Sequence, residues 1–457
     1  MSADGLREAV EMMRRDGQPA EAIRSFERAY GELRAGSAGT LPDAELAPVR
    51  GVPGAADLDP ASDPAALDRA VVVKLNGGLG TTMGMTGPKS LVEARDGLTF
   101  LDAIARQTLA LRERHRVRLP LVLMNSFRTR EPSLGALARY PALGADVPPD
   151  FVQHREPRIR ADDLRPVEWP ADPELEWCPP GHGDLYPALR SSGMLAALLD
   201  RGYEYAFVSN ADNLGAVLDP SLLGWFAAER ASFAMEVVIG TEADRKGGHI
   251  ARRRADGRLV LRETAQAPPG EEASFRDYER WRYYNTNNLW IHLPALAELL
   301  DAGGGTVPLP LIVNRKHVDP ADPAGPEVVQ LESAMGAAIG AFDGARAICV
   351  PRTRFAPVKT TDDLLVLRSD VYRLADDARV ERNPAREGPD PFVELDRKLF
   401  GHLSDFDVRF PAGPPSLVAC ERFVVRGDVT FGAGVVAGRV VELDGPQRIP
   451  DGARLGR

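Results

Sequence analysis

The sequence is short of cysteine. Cys178, Cys349 and Cys420 are its three, far apart and without the C-x-x-C spacing of metal or redox sites, which points to a reducing compartment. No run of 18 apolar residues is present, so no membrane-spanning helix is expected. The start lacks a cationic stretch followed by an apolar core, so a cytoplasmic location is expected. Positive charge is scarce as well. Lysine and arginine number 56 against 66 acidic residues, a formal net charge of −10, so no global basic field exists to hold nucleic acid or an anionic membrane. An acidic chain that handles anions must gather its cations locally, and single lysines then gain interest. At 457 residues, 44% hydrophobic and 27% charged, the chain has room for two or three domains and a large core.

Two familiar phosphate loops are also missing. Pro88 separates Gly87 from Lys89, which breaks the Gly-Lys-Ser/Thr of a Walker loop, and 78–84 is one residue too long for G-x-G-x-x-G. What stands there instead is V-V-V-K-L-N-G-G-L-G-T-T-M-G-M-T-G-P-K-S at 71–90. The apolar run 70–73 has the length and β-branched content of a buried strand. Gly77, Gly78, Gly80, Gly84 and Gly87 follow, then Lys89. Glycines let backbone amides come close to phosphate oxygens, and a lysine at the end supplies a compact charge. The pattern fits a nucleotide-phosphate cradle; a glycine loop that merely ends a strand is the plain alternative.

Residues 1–35 read as two amphipathic helices that pack on a neighbour, with Leu6, Val10 and Met13 sharing one face of the first and Ile23, Phe26, Tyr30 and Leu33 one face of the second. The stretch 36–66, rich in Gly, Ala, Pro and Asp, reads as a linker or surface wrap. Thr99 and Asp102 open a capping-box helix along Phe100, Ile104, Thr108 and Leu111, followed by a strand at 121–124. Strand, helix and strand imply a βαβ unit with ligands at the carboxyl ends of the strands. Further strands are expected at 205–209, 233–239 and 289–292. Beyond about 370 the texture changes. Phe423, Val429, Val435 and Val441 recur every six residues, the period of a hexapeptide parallel β-helix, with alternating strands as the other reading. The expected division is 1–66, a catalytic domain 67–370 and a β-helix domain 371–457.

Several polar groups fall at strand ends. Asp212, flanked by Asn210 and Asn213, follows the strand 205–209 and suits Mg2+, which takes few protein carboxylates beside phosphate oxygens; the alternative is a cap on the next helix. His182 lies between two glycines, in a loop open to an anion or a sugar, although a lone histidine is usually structural. Tyr283 to Trp290 crowds three asparagines ahead of a strand, where they either read sugar hydroxyls or make a turn. Glu263 by itself reads as an ordinary surface acid, with hydroxyls of the same pocket as the alternative partner. Lys359, by itself, reads as a solvated surface charge.

These stretches together resemble one family. N-G-G-L-G-T-T-M-G with G-P-K-S, P-P-G-H-G-D-L-Y-P-A-L, S-N-A-D-N-L-G-A, N-T-N-N-L-W and R-F-A-P-V-K-T-T-D-D-L-L occur in the order of the UTP–glucose-1-phosphate uridylyltransferases, over roughly 65–370. The resemblance implies an α/β fold, a doubly wound, mixed and mostly parallel Rossmann-like sheet, with a C-terminal left-handed parallel β-helix. It implies transfer of uridylyl from UTP to glucose 1-phosphate with Mg2+ as cofactor. Leu75, Asn76, Gly77, Gly78 and Gly80 would lie along the nucleotide, with Lys89 on its phosphates. Gln153 and the backbone at Gly181 would read uracil. His182 and Asn210 would meet the sugar phosphate, and Asp212 the metal. Glu263, Asn285 and Asn287 would recognise glucose, and Lys359 would neutralise the two phosphates that react.

Met85 and Thr86 depart from the Cys-Lys pair common in the family loop, at side chains not required to face the ligand. The related UDP-N-acetylhexosamine group carries an arginine where this chain has Thr82. A broad UDP-sugar pyrophosphorylase and a catalytically silent UDP-sugar scaffold are the remaining alternatives. Assembly through the β-helix is left open, since the family holds both monomers and oligomers.

Overall fold

In the computed structural model, which describes residues 3–36, 39–58, 63–319, 322 and 324–456, the valine-rich run is the strand Ala70–Asn76. It sits inside a mixed sheet that has ten strands among the described residues. Strands Tyr205–Asn210, Ala70–Asn76, Leu121–Asn125 and Asp150–Val152 lie side by side in that order, all parallel. The chain steps outward from Ala70–Asn76 and then returns to its other side with Tyr205–Asn210. That reversal opens a crevice beyond the carboxyl ends of these two strands, where α/β sheets bind ligands.

The packing accounts for the unbroken apolar sequence. Val71 and Val73 point into one buried cluster with Val122 and Ala206; Val72 points into the opposite one with Leu121 and Phe207. A sheet covered on both faces needs apolar residues at successive positions. The helix Phe100–His115 covers one face and opens as expected. Asp102 N–H donates to Thr99 Oγ1 at 3.1 Å, and Thr99 N–H donates to Asp102 Oδ2 at 3.0 Å.

The next strand departs from expectation. Tyr283–His292 runs antiparallel to both Tyr205–Asn210 and Phe233–Ile239, so the asparagines lie within the strand and not ahead of it. Asn287 has φ of +59°, and the facing register shifts between Met235 and Val237. Asparagine tolerates the left-handed conformation, and a bulge there re-aims side chains next to a site.

Helices Ala3–Arg15 and Ala20–Arg34 form at the expected places and bury Val10, Met13, Ile23, Phe26 and Tyr30 against Ile159, Leu311, Val329 and Leu331. Of the expected linker 36–66, residues 37–38 and 59–62 lie outside the described residues. At the other end, Phe423, Val429, Val435 and Val441 are all buried. Short parallel strands pair eighteen residues apart on three sides: Phe423 with Val441, Val429 with Gln447, and Val436 with Arg454. The six-residue spacing divides this eighteen-residue interval in three, with a buried apolar side chain at each step. Phe400, Phe406, Phe410 and Phe431 join this module to the same buried cluster as Phe207.

Candidate active site

The crevice holds a cleft of about 280 Å3 lined by Leu75, Asn76, Gly77, Gly78, Lys89, Gln153, Gly181, His182, Asn210 and Asp212. Ten of the residues singled out in the sequence therefore converge on one place. Clefts of about 500 and 520 Å3 elsewhere hold no comparable convergence of lysine, histidine and glycine-loop backbone.

The glycine stretch folds back on itself. Lys89 N–H donates to Gly78 O at 3.1 Å, and Gly80 N–H to Gly87 O at 3.3 Å, which brings Lys89 over the start of the loop. Gly77 packs closely on Gln153: a Cβ there would sit 2.7 Å from Gln153 Nε2, so any side chain would displace the end of Gln153. Gly80 lies apart from the cleft lining; a Cβ on it would meet Met85. Asn76 lines the cleft with its side-chain nitrogen engaged, donating to Asn125 Oδ1 at 2.7 Å and Ser133 Oγ at 2.8 Å.

Lys89 Nζ donates to Asp212 Oδ2 at 2.6 Å, with both side chains mostly shielded from solvent. Asp212 does not cap the following helix; Asp219 does, by accepting from Ser221 and Leu222. The second carboxylate oxygen, Asp212 Oδ1, is buried without a hydrogen-bond partner. A desolvated anionic oxygen left open fits a divalent cation, which takes one or two carboxylates and completes its shell with water and phosphate oxygens. No cluster of three or more metal-ligating side chains occurs among the described residues.

His182 is fixed by its neighbour. Its Nδ1 accepts the Met335 N–H at 3.0 Å, so the neutral ring keeps its proton on Nε2. Burial pushes its pKa down to about 4, so the ring is a neutral donor at physiological pH. Gly181 has φ of +77°, and a Cβ there would lie 2.6 Å from Ser333 O. Asp184 fastens the loop to the far wall by accepting the His154 N–H at 2.6 Å, next to Gln153.

Glu263, Asn285, Asn287 and Lys359 do not line this cleft; they form a second group beside it. The link is 335–336: Met335 bonds His182, and a Cβ on Gly336 would lie 3.1 Å from Asn285 Nδ2. Asn285 and Asn287 bond each other, with Nδ2 to Oδ1 at 2.8 Å and the Asn287 N–H to Asn285 Oδ1 at 2.8 Å. Asn285 N–H donates to Gly248 O at 2.9 Å, and a Cβ on Gly248 would strike the Glu263 carboxylate. Burial raises the Glu263 pKa, and nearby Lys359 opposes the rise.

Lys359 follows an extended segment tied to the Asp212 loop. Val358 N–H donates to Asp212 O at 3.1 Å, Ala356 N–H to Asn213 Oδ1 at 3.1 Å, and Asn213 Nδ2 to Arg354 O at 3.0 Å. Arg354 in turn makes a bidentate pair, at 2.8 and 2.7 Å, with Glu236, which is fully buried and also accepts from Asn288 and Trp290. The sequence reading missed Asn213 as a tether, and Glu236 and Arg354 altogether. Their only signal was a lone acid inside the apolar strand Phe233–Ile239 and the arginine that opens the Lys359 motif, to which no role was assigned.

The sequence profile of the family described as UTP–glucose-1-phosphate uridylyltransferase matches residues 33–437. A protein of that name from Solanum tuberosum is 43% identical over 405 residues, 86% of this chain and 82% of the relative. One from Saccharomyces cerevisiae is 40% identical over 394 residues, 85% of this chain and 77% of the relative. The fold superposes on a variant of Leishmania major UDP-glucose pyrophosphorylase in complex with UDP-glucose, with TM-score 0.93, 43% identity and coverage of 100% of this chain and 98% of that one. A Trypanosoma brucei structure described as a UDP-glucose phosphorylase gives TM-score 0.92 at 41% identity, covering 99% and 98%. The chain belongs to the UTP–glucose-1-phosphate uridylyltransferase family.

Proposed function

We propose that the cleft and the group beside it are the two halves of one active site. The protein transfers uridylyl from UTP to glucose 1-phosphate, giving UDP-glucose and pyrophosphate. UTP lies along 75–80 and 89, with Gln153 and the backbone at Gly181 toward the base. Glucose 1-phosphate lies toward Glu263, Asn285, Asn287 and Lys359, with His182 and Asn210 near its phosphate. The observation that carries this reading is the ion pair of Lys89 with Asp212 at the strand crossover, one step from the tethered Lys359 segment.

The nucleophile is a phosphate oxygen of the sugar phosphate. It forms a bond to the α-phosphorus of UTP as the bond from that phosphorus to the bridging oxygen of pyrophosphate breaks. That oxygen is already an anion, so no general base is required. The protein must bring two like-charged groups into line and spread the developing charge. Lys89, Lys359 and the loop amides supply positive potential, and neutral His182 offers its Nε2–H to a phosphate oxygen. Asp212 would hold Mg2+ through the open Oδ1; such a cation neutralises phosphate charge and orients the triphosphate. Lys89 would then exchange Asp212 for phosphate.

The six-residue buried repeat with its eighteen-residue register supports a left-handed parallel β-helix over 371–457, behind a catalytic domain 67–370 and an N-terminal segment 1–66. Assembly of copies through that module is part of the same proposal, as is a cytoplasmic location. No helix among the described residues is long and apolar enough to cross a membrane.

The test is pyrophosphate release from UTP with Mg2+ and glucose, galactose, N-acetylglucosamine or glucuronate 1-phosphate. Turnover confined to glucose 1-phosphate supports the reading. Comparable rates across the panel assign a broad UDP-sugar pyrophosphorylase instead. UDP-glucose binding with no turnover at any Mg2+ concentration leaves a silent scaffold.

A further inference from the structure

Only six of the 56 basic residues of this chain are lysines, and three of them, Lys74, Lys89 and Lys359, lie in or beneath the site. Lys89 and Lys359 have parts in uridylyl transfer. Lys74 has none. It sits in the third-from-last position of the strand Ala70–Asn76, on the face that carries Val72, and is buried. A charge in that place needs partners that compensate its desolvation.

The partners bracket one loop. Lys74 Nζ donates to Ser209 Oγ at 2.7 Å and to Ala216 O at 2.7 Å. Ser209 is the residue opposite Lys74 in the parallel pairing and ends the run into the Asp212 loop; Ala216 is where that loop leaves. One ammonium therefore joins the two ends of 210–215. Asp212 projects from the middle of this closed ring, and Asn213 from the same ring binds 354–356, which leads to Lys359. On the far side the loop is pressed against that segment, since a Cβ on Gly215 would lie 2.2 Å from Thr353 O. The loop is thus held from below by Lys74 and from above by the Lys359 segment.

The residue type matters. A lysine offers a compact head with three donors, and two are used here. The Phe207 ring, 5.9 Å away, and the charges of Arg354, Glu236 and Asp212 surround it. A guanidinium would bring five donors in a rigid fork into a space with two acceptors, beside the cation of Arg354. In a chain that uses arginine nearly everywhere, the lysine at 74 matches this geometry. Burial and the nearby Arg354 push its pKa down to about 7, and charged or neutral the nitrogen keeps the two N–H donors that these bonds use.

We propose that Lys74 is a positioning residue for the reaction: its ammonium ties the ends of loop 210–215 together and so sets Asp212 and, through Asn213, Lys359. The inference rests on the uridylyl-transfer reading. It goes beyond it by assigning a function to a group that touches no substrate.

The test compares wild type, Lys74→Met, Ser209→Ala, Asn213→Ala and the Lys74→Met/Asn213→Ala double variant, each normalised to folded protein. Expected is a fall in kcat of roughly 10–100-fold for Lys74→Met, with both KM values within about threefold, because misplacing groups that act in the transition state costs rate more than binding. Ser209→Ala keeps one tether and should lose roughly three- to tenfold in kcat, and it carries the test if Lys74→Met does not fold. The double variant should lose less than the product of the two single losses, because both substitutions release the same loop. Hydrogen exchange of the 210–216 amides, read on the same proteins, should speed up by roughly tenfold or more in Lys74→Met or, failing that variant, Ser209→Ala. Wild-type kcat in the folded variant, multiplicative losses in the double variant, or unchanged exchange overturns the proposal. An inactive wild type overturns the uridylyl-transfer reading instead, and exchange then still decides whether Lys74 holds the loop.

Discussion

Replacing Lys359 by alanine isolates one charge. The side chain is exposed, and its ammonium has no hydrogen-bond or ion-pair partner among the described residues. The segment is held by backbone: Val358 N–H to Asp212 O at 3.1 Å, Lys359 N–H to Asp363 Oδ2 at 2.7 Å, and Thr82 Oγ1 to Lys359 O at 3.3 Å. Truncation leaves these bonds in place, so it should cost less than about 0.5 kcal/mol of stability, a shift of about 2 °C or less in Tm. The catalytic effect should be much larger. Removing one preorganised charge stabiliser costs about 10²–10³-fold in kcat, or about 2.7–4 kcal/mol of transition-state stabilisation. The assay is initial pyrophosphate release at saturating UTP, glucose 1-phosphate and Mg2+, with Tm read on the same preparation. A kcat within about threefold of wild type at unchanged Tm removes Lys359 from the mechanism. A kcat loss accompanied by a large fall in Tm shifts the cause to folding and refutes the claim that the side chain is structurally idle.

Asn285→Ala should relax discrimination between glucose and galactose 1-phosphates by roughly tenfold, the worth of one well-placed hydrogen bond, as measured by the ratio of kcat/KM values; an unchanged ratio argues against the sugar assignment. Asp212→Asn should raise the Mg2+ concentration at half-maximal rate by roughly tenfold or more and weaken Mn2+ binding in calorimetry, whereas identical metal titrations would place the cation elsewhere. His249 is buried with both ring nitrogens unpartnered, stacked 4.8 Å from Trp281, and its pKa is depressed from 6.5 to about 3 by burial and by Arg262. Above pH 6.5 it is neutral folded or unfolded and contributes no pH dependence. As pH falls from 6.5 toward 3, the unfolded chain takes up a proton that the native state does not, so stability declines, by about 2 kcal/mol at pH 5. His249→Phe should keep the stack and lose that share of the decline between pH 8 and pH 5, read by urea unfolding; an identical pH dependence in both proteins would show that the ring protonates freely in the native state.

The parts of this molecule written in local sequence could be read without its structure. Successive valines announce a strand buried on both faces, Thr99 with Asp102 announces a helix start, and a residue every six positions announces a row of buried side chains. Each depends on neighbours a few residues away, and backbone geometry alone sets the period. The glycine loop and Asp212 were legible for a related reason: strand ends are where α/β sheets present polar groups, and a short motif holds all the atoms concerned.

The asparagines 285 and 287 were harder, because the same residues serve a turn or a strand with a bulge, and only pairing with Phe233–Ile239 decides between them. Asn76 carries a tie that its motif does not reveal. Its place in the motif directs attention to the ligand, while its amide is spent on Asn125 and Ser133.

Sequence by itself determined the mixed α/β class, the family and most of the residues that line the cleft, since those are carried by contiguous motifs. Tertiary structure alone decided what holds them. Lys74 meets Ser209 and Ala216 across 135 and 142 residues, Glu236 meets Arg354 across 118, and Asn213 meets Ala356 across 143. No periodicity encodes such pairs. They exist because folding buries charged groups that must then be paired, and the partner is whichever group the topology brings within reach.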